Sequence, residues 1–162
     1  MDTDATALFI DACRRGDLAE VIKLYEASTE LVNATDARGF TPLIMAVYSN
    51  QFPVVEYLLQ QGADVNAQDL SGNTALMGAT FKGYAEAAML LLNSGAHVNL
   101  LNSQHSSALT FAAMFGQVEL AKLLLEAGAD PSVKDSKGKM PVDYAVAQNN
   151  EAMIKLLQAH SL

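Results

Sequence analysis

A segment of 33 residues repeats along the chain, and this period constrains the fold more than any other feature of the sequence. Copies begin at Gly39, Gly72, His105 and Gly138, each 33 positions after the one before. The residues around Phe9 fit the same frame with one extra residue. A unit this short cannot bury a core of its own, so neighbouring units must stack. The period predicts one domain over residues 1–162, with units at about 4–38, 39–71, 72–104, 105–137 and 138–162.

Within each unit the residue pattern predicts two short helices followed by a turn. Hydroxyl side chains that can accept hydrogen bonds from free backbone N–H groups precede the first helix; they are Thr41, Thr74 and Ser107. Glycines, which adopt left-handed backbone at low cost, follow the second helix; they are Gly62, Gly95 and Gly128. The predicted fold class is all-α, a solenoid of paired antiparallel helices with β-hairpin-like turns.

Three recurring signatures resemble the ankyrin repeat family over nearly the whole chain: Thr41-Pro42-Leu43, Gly62-Ala63-Asp64-Val65-Asn66 and Gly128-Ala129-Asp130. The resemblance implies an ankyrin-repeat solenoid of about five repeats. The family's usual histidine after Thr-Pro-Leu is absent here, and we assign its position to Ile44, Met77, Thr110 and Val142. Apolar packing is expected to replace the hydrogen bonds that such histidines would form.

Composition and charge argue against several classes of protein. Hydrophobic residues make up 51% of the chain, which argues against disorder. A formal net charge of −8 opposes binding to the phosphate backbone of nucleic acids. No apolar run approaches the roughly 20 residues that span a bilayer, and the acidic start lacks a secretory signal. We therefore expect a cytoplasmic protein without membrane or nucleic-acid partners. More polar end units predict a complete, monomeric domain.

No group of residues carries a recognisable catalytic pattern. Cys13, the single thiol, follows Ala12 at a position typical of helix packing, so we expect it in the core. Three histidines lie in different parts of the units without the spacing of a metal pair; they are His97, His105 and His160. Aspartates recur at turn entries, where they suit the backbone; they are Asp36, Asp69 and Asp135. We predict no enzyme, no cofactor and no metal site.

Two asparagines follow a valine in the turn after the second helix. The resemblance implies that Asn66 and Asn99 occupy a position that is hydroxylated in some animal proteins of this family. Asparagine also suits the backbone angles of a turn. The sequence is compatible with both explanations.

The resemblance also implies a protein-binding surface made of the turn tips and the first helices. The candidate binding residues there are Arg38, Phe40, Tyr48, Phe81, Lys82, Met114 and Phe115. Aromatic side chains and methionine contribute much of the binding energy at interfaces, and exposed apolar patches are uncommon on monomers. Alternatively, these side chains tilt into the gaps between units and cover the core. His105 replaces a turn glycine there and requires an unusual backbone angle.

The predicted function is a protein–protein interaction module that binds another protein and acts as an adaptor or inhibitor. The alternative is a regulatory or protective accessory subunit of an enzyme complex. Between Gly39 and Val133 seven acidic residues outnumber two basic ones, Lys82 and Lys122. This excess has two explanations: the partner carries a basic or mixed patch, or the acidic residues only keep the protein soluble.

Overall fold

The computed structural model describes residues 3–161, and all the regular secondary structure in that range is helical. None of the helices in that range is long and apolar enough to cross a membrane. The α-helices are α1 Thr3–Arg15, α2 Leu18–Ala27, α3 Pro42–Tyr48, α4 Phe52–Gln60, α5 Ala75–Lys82, α6 Ala85–Asn93, α7 Ala108–Met114, α8 Val118–Glu126, α9 Pro141–Ala147 and α10 Glu151–Ala159. A 3₁₀ helix, Thr29–Asn33, follows α2. The predicted all-α solenoid is confirmed.

The first helix of each pair begins where the predicted hydroxyl cap lies. Thr41 Oγ1 accepts a hydrogen bond from Ile44 N at 3.1 Å, and Thr74 caps α5 in the same way. Ser107 Oγ accepts from Thr110 N at 3.2 Å, and Thr110 Oγ1 accepts in return from Ser107 N at 3.1 Å. Since each cap satisfies backbone donors that helix geometry leaves free, the start of each helix is set locally.

The last unit corrects the alignment proposed from the sequence. Helix α9 begins at Pro141 after the cap residue Met140, so its third residue is Asp143. That residue, and not Val142, occupies the position of Thr110. Asp143 Oδ2 accepts from Met140 N at 2.8 Å. A polar side chain therefore supports the helix start here from the third helical position.

The helices form two rows that share one elongated core. The first helices α1, α3, α5, α7 and α9 pack side by side in chain order, and each packs on its own second helix. Small alanines allow close approach within the first row; Ala46, Ala79 and Ala112 are fully buried. Leucines of the second helices fill the space between the rows; Leu58, Leu91 and Leu124 are fully buried. Each unit thus buries its apolar face against its neighbours, as the period predicted.

Consecutive turns are joined through their backbones, which restricts the residues allowed at the tips. Each later tip donates one N–H to the tip before it: Leu70 N to Arg38 O at 3.0 Å, Ser103 N to Ser71 O at 3.0 Å, and Ser136 N to Gln104 O at 2.9 Å. A Cβ atom at Gly39 would lie 2.8 Å from Leu70 N, so only glycine fits there without a shift. His105 stands at the corresponding position with φ of 54°, which confirms the expected backbone angle.

The two asparagines after the valines join neighbouring units. Asn66 Oδ1 accepts from His97 N at 2.7 Å, and Asn66 Nδ2 donates to Gly95 O at 3.3 Å. Asn99 Oδ1 accepts from Asp130 N one unit later at 2.8 Å. These bonds account for asparagine at both positions through its paired donor and acceptor groups.

Candidate protein-binding surface

The acidic residues that recur at the turns hold the tips in shape. Asp69 Oδ1 accepts from Ser71 N at 2.8 Å and from Asn73 N at 2.9 Å. The same pair of bonds is repeated by Asp36, Asn102 and Asp135. Asp69 and Asp135 are buried. The predicted structural role of these side chains is confirmed, and their oxygens face backbone donors in the turns.

Toward the N-terminus, three of the candidate binding residues pack on one another; we call Arg38, Phe40 and Tyr48 the covered half of the surface. The Phe40 and Tyr48 rings stack with centroids 5.8 Å apart and an interplanar angle of 3°. The Arg38 guanidinium carbon lies 4.3 Å from the Phe40 centroid. Both rings are half-buried against the core. Both aromatic residues are therefore only partly accessible from solvent.

Gly78 makes this arrangement possible. A Cβ atom built on it would lie 2.9 Å from Tyr48 Cε2, so a larger residue in α5 would displace the ring. Burial, followed by the charge of Asp69, raises the pKa of Tyr48. The Tyr48 ring therefore occupies space that a side chain at position 78 would otherwise fill.

Toward the C-terminus two aromatic residues are exposed; we call Phe81, Phe111, Met114 and Phe115 the open half, in which Phe111 and Met114 are half-buried. Phe81 is 43% exposed and Phe115 46% exposed, and their rings meet edge to face with centroids 4.9 Å apart. Phe115 also stacks on Phe111, with centroids 6.4 Å apart. Phe111 holds the position that Gly78 has one unit earlier, so the space that receives Tyr48 in the covered half is occupied. Phe81 therefore remains at the surface.

A cleft of about 170 Å³ adjoins the open half. Its apolar wall consists of Phe111, Met114 and the Tyr144 ring, and its polar wall includes Asn102, Gln104, Asp135, Ser136 and Lys137. The Tyr144 hydroxyl donates to Asp135 Oδ2, and this bond raises the pKa of Tyr144 to about 12. Burial opposes ionisation of Asp135, but the Tyr144 bond and two backbone N–H donors outweigh it and lower its pKa. The cleft thus has a stable, hydrogen-bonded rim beside an apolar wall.

The basic side chains differ between the two halves. Arg38 forms an ion pair with Asp36 at 3.3 Å. Lys82 and Lys137 are exposed, and Lys137 lines the cleft. The Lys139 ammonium lies 5.4 Å from the centroid of the Tyr144 ring. Among residues 3–161, no ion pair joins these three lysines to a carboxylate.

The structure thus separates six of the seven candidate residues into two groups that the sequence treated as one row, and the seventh, Lys82, is exposed next to Phe81. Sequence reasoning missed Phe111 and Tyr144, which build the cleft. It placed Leu70 at a turn tip but did not count it among the candidate binding residues, although Leu70 is 78% exposed. The repeat register contains a signal for the first two. The same position holds Met45 and Gly78 in earlier units, so it carries a large side chain in three units and none at Gly78.

The cysteine and histidines considered for catalysis or metal binding lie apart from one another. Cys13 is fully buried, as predicted, and burial raises the pKa of its thiol to about 12. The three histidines are exposed in separate units; they are His97, His105 and His160. No group of three or more potential metal ligands occurs in the part of the chain that the structure describes. The residues brought together on the candidate surface are aromatic, polar and basic, which suits contact with another macromolecule.

Comparison with known proteins identifies the same architecture. The family model for ankyrin repeats, described as three copies, matches residues 1–69 and 76–161. The chain is 39% identical over 62 residues to BTB/POZ domain-containing protein 3 of Schizosaccharomyces pombe, covering 38% of this chain and 12% of that protein. It is 35% identical over 65 residues to human Ankyrin repeat domain-containing protein 49, covering 40% of this chain and 27% of that protein.

A shorter stretch of 34 residues is 56% identical to mouse Ankyrin repeat family A protein 2, covering 21% of this chain and 11% of that protein. The aligned stretches span about a quarter or less of each relative's length. The family model, by contrast, covers nearly the whole chain and coincides with the two rows of helices. The chain therefore belongs to the ankyrin repeat family.

Proposed function

We propose that this protein binds a partner protein through its turn tips and first helices, and that the open half provides the main contact. Ankyrin repeats are in general protein–protein interaction modules. The observation that carries the proposal is the pair of touching phenylalanines, Phe81 and Phe115, each more than two fifths exposed. Large aromatic residues grouped at a surface favour a binding site, because they bury much area at low entropic cost.

The backbone around this surface favours binding as a rigid body. Hydrogen bonds between consecutive tips, such as Ser136 N to Gln104 O, connect the turns on either side of the cleft. A surface already held in one conformation loses little entropy when a partner docks. We propose that the protein acts as a monomeric adaptor or inhibitor, without catalysis, by occupying its partner's surface.

Charge placed on the exposed rings tests this proposal. We expect Phe81→Glu/Phe115→Glu to weaken partner capture at least about tenfold, because two rings that the partner would cover become charged. Affinity capture from native extract with mass spectrometry identifies proteins retained by the unchanged chain, and titration of the purified partner measures the loss. Circular dichroism should show unchanged helical content, since both rings lie outside the buried core.

Met89→Glu provides a matched control. Met89 is 50% exposed, but it lies on α6, in the second row of helices. We expect this variant to retain partner capture. Loss of helical content in the phenylalanine variant would show that the rings belong to the core. Equal capture by both variants would contradict binding at the open half.

A further inference from the structure

The open half carries positive charge although the whole chain carries a formal net charge of −8. Its neighbouring exposed cations are Lys82, Lys137 and Lys139. The nearest turn carboxylate, Asp135, is buried and accepts three hydrogen bonds, from Lys137 N, Lys139 N and the Tyr144 hydroxyl. A carboxylate held in this way is not free to pair with a docking group. The accessible charges beside the aromatic residues are therefore the three lysines and one exposed carboxylate, Asp143, whose charge acts on Tyr144.

The exposed acidic residues of the middle units lie elsewhere. Glutamates occur on the second helices α4, α6 and α8; the exposed ones are Glu56, Glu86, Glu119 and Glu126. Asp69 of the middle tips is buried in its turn. The acidic excess that suggested a basic partner thus lies on the second helices and on Asp64 and Asp130, which are exposed in the segments that follow α4 and α8.

The cleft has a size that suits one apolar side chain. A volume of about 170 Å³ compares with the roughly 150 Å³ of an apolar protein cavity that accommodates benzene. Phe111, Met114 and Tyr144 supply apolar walls, and methionine adapts to differently shaped contacts. Lys137 lies on the rim of the same cleft. An apolar side chain in the cleft would place its neighbours in sequence close to this ammonium group.

We propose that the open half binds an acidic polypeptide segment of the partner, with one large apolar side chain in the cleft and a carboxylate beside Lys137. The proposal rests on the proposed function, because it assigns the chemistry of the partner at that same surface. Opposite charges across the contact speed association and exclude partners of the wrong sign. A basic segment would instead meet three lysines.

Selection from a random peptide display library tests this chemistry directly. The unchanged protein should enrich peptides in which a large apolar residue is flanked by aspartate or glutamate. The best peptide, made synthetically with a fluorescent label, then serves as the probe in fluorescence polarisation. We expect Lys82→Glu/Lys137→Glu to raise its Kd at least about tenfold, because like charges would face each other at the contact.

Lys122→Glu/Lys155→Glu is the matched control, with the same change in net charge on the second helices α8 and α10. We expect the Kd of this control to change less than about threefold, since salt screens distant surface charges. Equal losses in the two double variants would overturn the proposal, because the effect would then arise from overall charge. Selection of basic or uncharged peptides, or no enrichment, would also overturn it.

These failures are distinguishable from failure of the proposed function. If Phe81→Glu/Phe115→Glu abolishes capture of the partner while the selected peptides are not acidic, the binding surface stands and the partner chemistry is wrong. If the phenylalanine variant captures the partner normally, the proposed surface itself is wrong.

Discussion

The covered and open halves of the candidate surface have the same backbone plan and differ in how they treat an aromatic ring. In the covered half, the ring of Tyr48 lies against Gly78 of the next unit. In the open half, Phe81 occupies the position of Tyr48, but the next unit presents Phe111 in place of glycine. The ring therefore stays exposed and meets Phe115. Exposure of a residue in this stack depends on the side chain that the following unit provides.

The halves also differ in how their polar groups are partnered. Arg38 pairs with Asp36 and lies over Phe40, so its charge is partly compensated. In the open half the tyrosine–aspartate bond lies at the rim of the cleft, while Lys137 forms no ion pair within residues 3–161. One half of the surface thus has packed rings and a paired charge, and the other half has exposed rings and lysines without an ion pair.

The largest expected effect comes from giving the covered half the aromatic residue of the open half. Gly78→Phe should lower the free energy of unfolding by about 2 kcal/mol, because the new side chain overpacks the space of the Tyr48 ring. Urea denaturation followed by circular dichroism measures this change. In a Tyr48→Ala background the cost of Gly78→Phe should largely disappear, since the space is then vacant. An equal loss of stability in both backgrounds would show that the Tyr48 ring does not depend on the space at Gly78.

A smaller effect is expected from the hydrogen bond between Tyr144 and Asp135 at the rim of the cleft. Tyr144→Phe should lower the free energy of unfolding by about 1 kcal/mol, because Asp135 loses one donor. The raised pKa of Tyr144 means that the folded state favours the neutral phenol. The contribution of Tyr144 to the free energy of unfolding is complete below pH 10 and is lost as the pH rises toward about 12. Tyr144→Phe should lack this alkaline loss.

At acidic pH the free energy of unfolding depends on Asp135, and it falls as the pH is lowered. The lowered pKa of Asp135 means that the folded state favours the carboxylate, so its contribution is present above the ordinary value of 3.8 and is lost on further acidification. Asp135→Asn serves as the companion variant, because Asn102 supports the same turn one unit earlier. Additive effects of Tyr144→Phe and Asp135→Asn in urea denaturation would show that the two side chains are not coupled.

The smallest expected effect comes from Arg38 in the covered half. Arg38→Ala should lower the free energy of unfolding by about 0.5 kcal/mol, since exposed ion pairs and cation–π contacts contribute little. Partner capture should remain within about twofold of the unchanged chain, because rim charges contribute little to affinity. A loss as large as that of Phe81→Glu/Phe115→Glu would extend the binding surface across both halves.

The helix starts and the turns could be predicted because each depends on residues close in sequence. Thr41 and Ser107 cap helices through backbone groups three residues later, and Asp69 closes its turn through residues two and four positions later. The aromatic row could be located because its members keep the repeat register. The division of that row could not be predicted, because it depends on contacts between units. One assignment departed from the register, since Val142 was given the position that the 33-residue period assigns to Asp143.

The sequence by itself determined the family, the stack of paired helices, the caps and the turn carboxylates of this protein. It did so because a fixed period repeats the same local interactions in every unit. Only the tertiary structure decided which aromatic residues are covered, where the cleft lies and which charges remain accessible beside it. Those properties arise where one unit meets the next, because the same position holds a glycine at one contact and a phenylalanine at another.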